Sequence, residues 1–190
     1  MMRFSTRAFT IVELLIVITV IAILATLAVV SYAGLRERTY NTKMLTGVRQ
    51  YYEAIETYKQ KYGQYPQTSI ERDDPASTVA LTCLGIGYED GECGYVTGTL
   101  ISEDSHFDDQ MSKLIDAPPA LGELRIDVQP EAFVGAVYGI DHVSGGYGRT
   151  IQWALLGDDE DCKLPGAYSY RVSSTPPTTA CEILLEEVDR

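Results

Sequence analysis

The feature that most constrains this chain is an uninterrupted apolar segment near its amino terminus. Residues 14–35 are 22 consecutive residues without a formal charge, and most of them are Leu, Ile, Val or Ala. A helix of this length covers about 33 Å, which matches the ~30 Å hydrocarbon core of a bilayer. Because Arg3 and Arg7 precede the segment, the short basic end is expected to stay cytoplasmic and the remainder to lie outside. The sequence therefore predicts that residues 9–35 form a membrane-spanning helix.

The helical pattern continues beyond this apolar segment. Apolar or aromatic side chains recur at steps of three or four residues: Met44, Val48, Tyr51, Tyr52, Ile55, Tyr58 and Tyr62. This period is typical of an amphipathic α-helix, and Gly63 and Pro66 supply a stop signal. We expect one helix from about residue 9 to residue 62, whose second half, residues 36–62, has an apolar stripe that another element must cover.

From residue 67 onward, short β-like segments alternate with Gly, Pro, Asp and Ser. The predicted strands cover residues 79–84, 95–101, 124–128, 132–140, 150–156, 167–172 and 181–185. A short helix is predicted over residues 104–115, and a loop over residues 67–78. The fold class is therefore α+β: the long amino-terminal helix packs on the antiparallel β-sheet of a globular domain, residues 67–190.

An ordinary secretory signal peptide or a simple membrane anchor would also account for an apolar amino terminus. Two features argue against them. Glu13 lies inside the apolar stretch, and an ionisable group in a membrane helix is costly and by default functional. The helical pattern also does not stop at Ala33, where a small-x-small cleavage site would nearly fit. Both alternatives stay open at this point.

The residues around Glu13 carry a family resemblance. Residues 7–17, Arg-Ala-Phe-Thr-Ile-Val-Glu-Leu-Leu-Ile-Val, resemble the amino terminus of type IV pilins and pseudopilins. The resemblance implies that residues 1–8 are a basic leader, that prepilin peptidase cuts between Ala8 and Phe9, and that Phe9 is then N-methylated. Ala8 stands where the family usually has Gly. The resemblance also implies that Glu13 sets the register of assembly by accepting from the free amine of an adjacent subunit, with snorkelling towards lipid headgroups as the alternative role.

The four cysteines suit two disulfide bridges. A domain outside the cell is expected to be oxidised, and four cysteines allow three pairings. The pairs that are local in sequence, Cys83 with Cys93 and Cys162 with Cys181, are favoured, and the second resembles the carboxyl-terminal disulfide loop of many pilins. Zinc is the alternative, but the chain has no CxxC spacing and two histidines in all.

The densest acidic cluster comes just before Cys162. Asp158, Asp159 and Asp161 offer hard oxygen ligands that are suited to calcium, although the spacing is not that of an EF-hand. A solvated acidic turn is the favoured interpretation, so no metal site is assigned.

A nucleophile with its base has one local candidate, His142 with Asp141 and Ser144. The chain contains no Gly-x-Ser-x-Gly elbow, no HExxH motif and no glycine loop for phosphate. The sequence therefore predicts a protein that is not an enzyme, with no catalytic residues and no cofactor.

The resemblance implies a structural subunit that polymerises through its amino-terminal helix into an extracellular filament for motility, adhesion or uptake. The implied partners are further copies of itself in a helical homopolymer, prepilin peptidase, and an inner-membrane assembly platform with a separate ATPase. The implied location is the cytoplasmic membrane as a single-pass precursor, and then the bacterial surface.

The net charge of −12 argues against direct binding of nucleic acid. Two other functions stay open: a pseudopilin or minor pilin of a type II secretion or competence system, and a membrane-anchored extracellular binding domain.

Overall fold

The computed structural model of the chain describes residues 10–96, 99–122, 125–128, 131–144, 146–174 and 177–189. The chain divides into two compact units, Met1–Thr39 and Tyr40–Arg190. The helices are α1 (Ile11–Tyr62), α2 (Ser69–Asp73) and α3 (Ser105–Met111). The strands are β1 (Ala80–Leu84), β2 (Glu92–Val96), β3 (Thr99–Ser102), β4 (Arg125–Val128), β5 (Glu131–Val134), β6 (Ala136–Val143), β7 (Gly146–Leu156), β8 (Tyr168–Ser174) and β9 (Pro177–Val188).

Helix α1 confirms the long helix expected from the sequence. It ends at Tyr62, because Gly63 takes a positive φ of 77° and donates its N–H to the Lys59 carbonyl, as at many helix ends. The expected membrane span is not supported, because no helix among the described residues combines the length and the apolar character needed to cross a membrane.

The apolar stripe of α1 within the second unit is buried as predicted. Met44, Val48, Tyr51, Ile55 and Tyr58 belong to the main hydrophobic core together with residues of the strands and of α3. Tyr62 departs from the expectation, since 44% of it is exposed. The stripe therefore packs into the core of the globular unit from Met44 to Tyr58, which is about four helical turns, and Tyr62 at the end of the helix is not part of that core.

The strands form two antiparallel sheets rather than the single sheet expected. The larger sheet has the order β1-β6-β7-β9-β8, and the smaller has the order β3-β2-β5-β4. Trp153, Tyr138 and Leu155 of the larger sheet are almost fully buried in the same core as the stripe of α1. The α+β class with a long helix packed on an antiparallel sheet is thus confirmed.

The strand predicted over residues 132–140 is wrong, because it is two strands in different sheets. β5 belongs to the smaller sheet and β6 to the larger, and Gly135 separates them with a φ of 84°. A Cβ at this position would collide with the Tyr88 hydroxyl and approach the Leu121 carbonyl oxygen. The chain can therefore change sheets here because a residue without a side chain tolerates both the backbone angle and the crowding.

Three other predicted segments differ from the expectation. The strand predicted over residues 95–101 is the hairpin of β2 and β3, in which Val96 pairs with Thr99. The loop predicted over residues 67–78 contains α2, whose start is stabilised by a capping box between Thr68 and Glu71. The predicted helix over residues 104–115 is shorter, since α3 is capped by Asp104 and ends at Met111.

Candidate functional site

The amino-terminal unit exposes a long apolar surface. The large apolar side chains between Ile11 and Leu27 are 49% to 84% exposed. Soluble monomers rarely expose an apolar surface of this extent, and such surfaces mark sites of association. This segment is the candidate functional site of the chain.

Glu13 is held at the start of this segment by Thr10. Its Oε2 accepts hydrogen bonds from the Thr10 N–H at 2.9 Å and from the Thr10 hydroxyl at 2.8 Å. In return, the Thr10 hydroxyl oxygen accepts the Glu13 N–H at 3.2 Å. This reciprocal pattern is a capping box, and it satisfies donors that would otherwise be left unpaired at the helix start.

The other residues assigned to the amino terminus lie outside the described part of the chain. The cleavage position between Ala8 and Phe9, and the methylation of Phe9, therefore stay predictions, as does the leader over residues 1–8. The register role of Glu13 is likewise untested, although the structure shows which of its oxygens is engaged by its own helix.

The cysteines form the two disulfides Cys83–Cys93 and Cys162–Cys181, the pairing that the sequence favours. All four are buried, at 5% exposure or less. Because Cys83 lies in β1 and Cys93 in β2, the first bridge joins the two sheets. The second bridge joins the segment after β7 to β9 and closes a loop near the carboxyl end.

The acidic cluster gains no support as a calcium site. Within the described ranges, no group of three or more His, Cys, Asp or Glu residues is arranged to hold a metal ion, and Asp158, Asp159 and Asp161 form no such group. The Asp161 carboxylate instead accepts the Lys163 N–H at 3.0 Å, within a turn in which Asp159 has a φ of 57°.

The grouping around His142 does not have the geometry of a nucleophile and its base. The Asp141 carboxylate accepts the main-chain N–H of His142 at 2.7 Å and the Gln152 amide at 3.0 Å. The His142 ring packs against Tyr147, with 4.7 Å between the ring centroids. These three contacts lie within the β6–β7 hairpin.

Two polar roles had not been assigned from the sequence. Thr10 and Thr68 each stand three residues before a Glu at the start of a helix, and this Thr-x-x-Glu spacing is a readable signal for a capping box.

The buried ion pair of Arg149 has no comparable signal in the local sequence. Arg149 is 6% exposed and binds Glu71 through two nitrogens, at 2.6 Å and 2.9 Å.

The family model for the prokaryotic N-terminal methylation motif matches residues 3–29, a range that includes Ala8, Phe9 and Glu13. No curated protein and no solved structure matches the chain. The motif implies processing by prepilin peptidase, a membrane-anchored precursor and later assembly, and it marks structural proteins that are generally not enzymes. The chain therefore carries the amino-terminal signal of the type IV pilin and pseudopilin family.

Proposed function

We propose that this chain is a type IV pilin, a structural subunit that polymerises through the amino-terminal half of α1 into an extracellular filament. The observation that carries the proposal is the exposed apolar helix surface from Ile11 to Leu27, which lies inside the methylation motif. Outside the membrane this surface is stable only when it is shielded from water, and bundled helices shield it by packing their apolar faces together.

Processing prepares this helix for assembly. Prepilin peptidase removes residues 1–8 after Ala8, and the new terminal residue Phe9 is N-methylated. The chain then starts with a cationic amine four residues before Glu13, the one charged residue between positions 8 and 35. Since a buried charge pair tolerates a low dielectric far better than an unpaired charge, a neighbour's amine beside Glu13 favours a single register of the helices.

The remaining partners follow from the same proposal. The precursor is anchored in the cytoplasmic membrane, and an assembly platform with its own ATPase supplies the force for extension. No cofactor is assigned. The two disulfides suit an oxidising space outside the cell, where a filament on the bacterial surface serves motility, adhesion or uptake.

The proposal is tested by Glu13→Ala, with Glu37→Ala as the matched control. Each variant removes one carboxylate from α1, but Glu37 follows the apolar segment. We expect Glu13→Ala to lose most of its incorporation into filaments and Glu37→Ala to keep it, as measured by the amount of chain in sheared surface fibres. Incorporation of Glu13→Ala at the wild-type level would contradict the register role of Glu13, and absence of the unaltered chain from surface fibres would contradict the filament.

Electron microscopy of these fibres separates the pilin from its main alternative. Long surface fibres built mainly of this chain are expected for a pilin. A pseudopilin of a secretion or competence system shares the amino-terminal signal, and it would leave cells without such fibres while secretion or uptake depends on the chain.

A further inference from the structure

Strand β7 extends beyond the point where its neighbour β6 begins. In the register of these two strands, Ala136 lies opposite Trp153. Continued towards the end of β7, the same register would place Phe133 opposite Leu156. Phe133 belongs to β5, however, and its main chain pairs within the smaller sheet. Because the chain changes sheets here, the main-chain groups at the end of β7 need other partners on this side.

Two neighbouring side chains of α1 supply these partners. The Asn41 amide donates from Nδ2 to the Leu156 carbonyl at 2.7 Å, and its Oδ1 accepts the Leu156 N–H at 2.8 Å. The Tyr40 hydroxyl donates to the Ala154 carbonyl at 3.3 Å. Asn41 is 8% exposed and Ala154 is 1% exposed, so little water reaches these hydrogen bonds. Asn41 therefore takes the place that a further residue of β6 would have in the ladder.

This contact lies where α1 joins the globular unit, which begins at Tyr40. Before it, the hydroxyls of Thr26 and Thr39 donate to carbonyls of α1 itself. After it, Met44 begins the buried stripe and is 1% exposed. Tyr40 and Asn41 are thus placed between a helical segment held by its own hydrogen bonds and a segment held by the core.

The two segments of α1 differ in what must break when the helix opens. Local opening runs along a helix until it reaches contacts that have to break with it. Gly34 is a weak point in the first segment, because glycine destabilises a helix interior relative to alanine. Opening that runs from Gly34 to Asn41 would have to break both amide hydrogen bonds and leave the N–H and C=O of Leu156 unsatisfied.

We propose that Asn41, assisted by Tyr40, is a clamp at which local opening of α1 stops. Residues before the clamp open without the globular unit, and residues after it open only together with the end of β7. The helix before the clamp can therefore change conformation while the globular unit stays folded. This inference goes beyond the proposed function, because it holds whether or not the chain polymerises.

Hydrogen exchange of the full chain in detergent, read by mass spectrometry, tests the clamp. Asn41→Leu keeps the branched shape of the side chain and removes its donor and its acceptor. We expect the amides of residues 40–45 and of Leu156 to exchange roughly tenfold faster or more, the order expected from losing two buried hydrogen bonds. Exchange in residues 51–62 and in β9 should stay unchanged.

Two further variants resolve the parts of the clamp. Tyr40→Phe loses only the hydroxyl, so we expect a smaller rise, roughly threefold, in residues 40–45. The Leu156 amide should stay protected in this variant, since Asn41 still accepts its proton. Thr39→Val is the matched control, because the Thr39 hydroxyl donates to the Leu35 carbonyl of its own helix. It should leave the exchange of Leu156 unchanged.

Three outcomes would overturn the clamp. The first is unaltered exchange of residues 40–45 and Leu156 in Asn41→Leu, or of residues 40–45 in Tyr40→Phe if the first variant does not fold. The second is an equal rise in residues 40–45, residues 51–62 and β9, since Asn41 would then support the whole unit. The third is equally slow exchange of residues 36–39 and 41–48 in the unaltered chain. None of them bears on the filament proposal.

Discussion

Asp108 is a carboxyl group of the globular unit whose pKa is raised well above its usual value. Partial burial, together with the carboxylates of Glu103, Asp104 and Asp109, raises the pKa of Asp108 to about 6 from its usual value of 3.8. The protonated form is therefore favoured in the folded state relative to the unfolded chain. Stability from this group is fully present below pH 3.8 and is lost as the pH rises through about 6.

We expect Asp108→Asn to stabilise the protein at pH 7.5, because the amide is neutral where the carboxylate is repelled. The gain in the free energy of unfolding should be below about 1 kcal/mol, since Asp108 is only partly buried and solvent screens its repulsion from the neighbouring carboxylates. The gain should shrink towards pH 3.5. Thermal unfolding of the full chain in detergent measures it, with Asp116→Asn as an exposed control. A gain that is independent of pH would contradict this account.

At the scale of elements, Arg149 fastens α2 and its flanking segment to the larger sheet. Its guanidinium binds Glu71 of α2, Glu186 of β9 at 3.0 Å and the Pro66 carbonyl at 3.3 Å. The Tyr138 hydroxyl donates to the same Pro66 carbonyl at 2.7 Å. The segment that follows α1 is therefore anchored to three strands of the sheet through one buried cation.

Removing that cation is expected to be costly. Arg149→Met leaves the Glu71 carboxylate buried without its bidentate partner, and such a loss typically costs 3–5 kcal/mol, on the order of a third or more of a domain's stability. Arg72→Met is the matched control, because Arg72 pairs with Asp73 at 2.8 Å on the surface, where a salt bridge contributes below about 1 kcal/mol. Denaturant unfolding measures both. Equal effects of the two variants would contradict the role of Arg149.

The local sequence pattern predicts individual helices and strands, but it does not predict which residues far apart in the sequence contact one another. The stripe from Met44 to Tyr58 predicts α1 because helical period and burial coincide there. The division between β5 and β6 at Gly135 was missed, because it depends on contacts with Tyr88 and Leu121 that a local pattern does not contain. The bond between Arg149 and Glu71 spans 78 positions and depends on the sheet register, so no local signal reveals it.

The amino-terminal motif is visible in the sequence itself. Ala8, Phe9 and Glu13 lie within the matched residues 3–29, and the roles assigned to these three residues stay predictions. The hydrogen bonds of Thr10 follow a spacing of three and were readable in principle. The acidic turn at Asp158–Asp161 contains residues suited to bind calcium, but their side chains do not form a metal-binding group among the described residues. Residue type alone does not predict whether carboxylates come together around one point.

For the whole molecule, the two units differ in charge and in surface character. Residues 1–39 contain four basic and two acidic residues, so their net charge is +2. The remaining residues carry a net charge of −14, which gives −12 for the whole chain. In the first unit, the large apolar side chains from Ile11 to Leu27 are exposed, whereas the second unit buries a core around Trp153 and the stripe of α1. This division suits a subunit that assembles through one unit and presents the other to the surroundings.

The account therefore depends on the amino terminus that the mature chain has in the cell. Mass spectrometry of the amino-terminal peptide from the native protein tests it most directly. The account predicts a peptide that starts at Phe9 and carries a methyl group on its amine. A peptide that starts at Met1, or at Gly34 after signal-peptide cleavage, would contradict prepilin processing and with it the assignment of this chain to a filament.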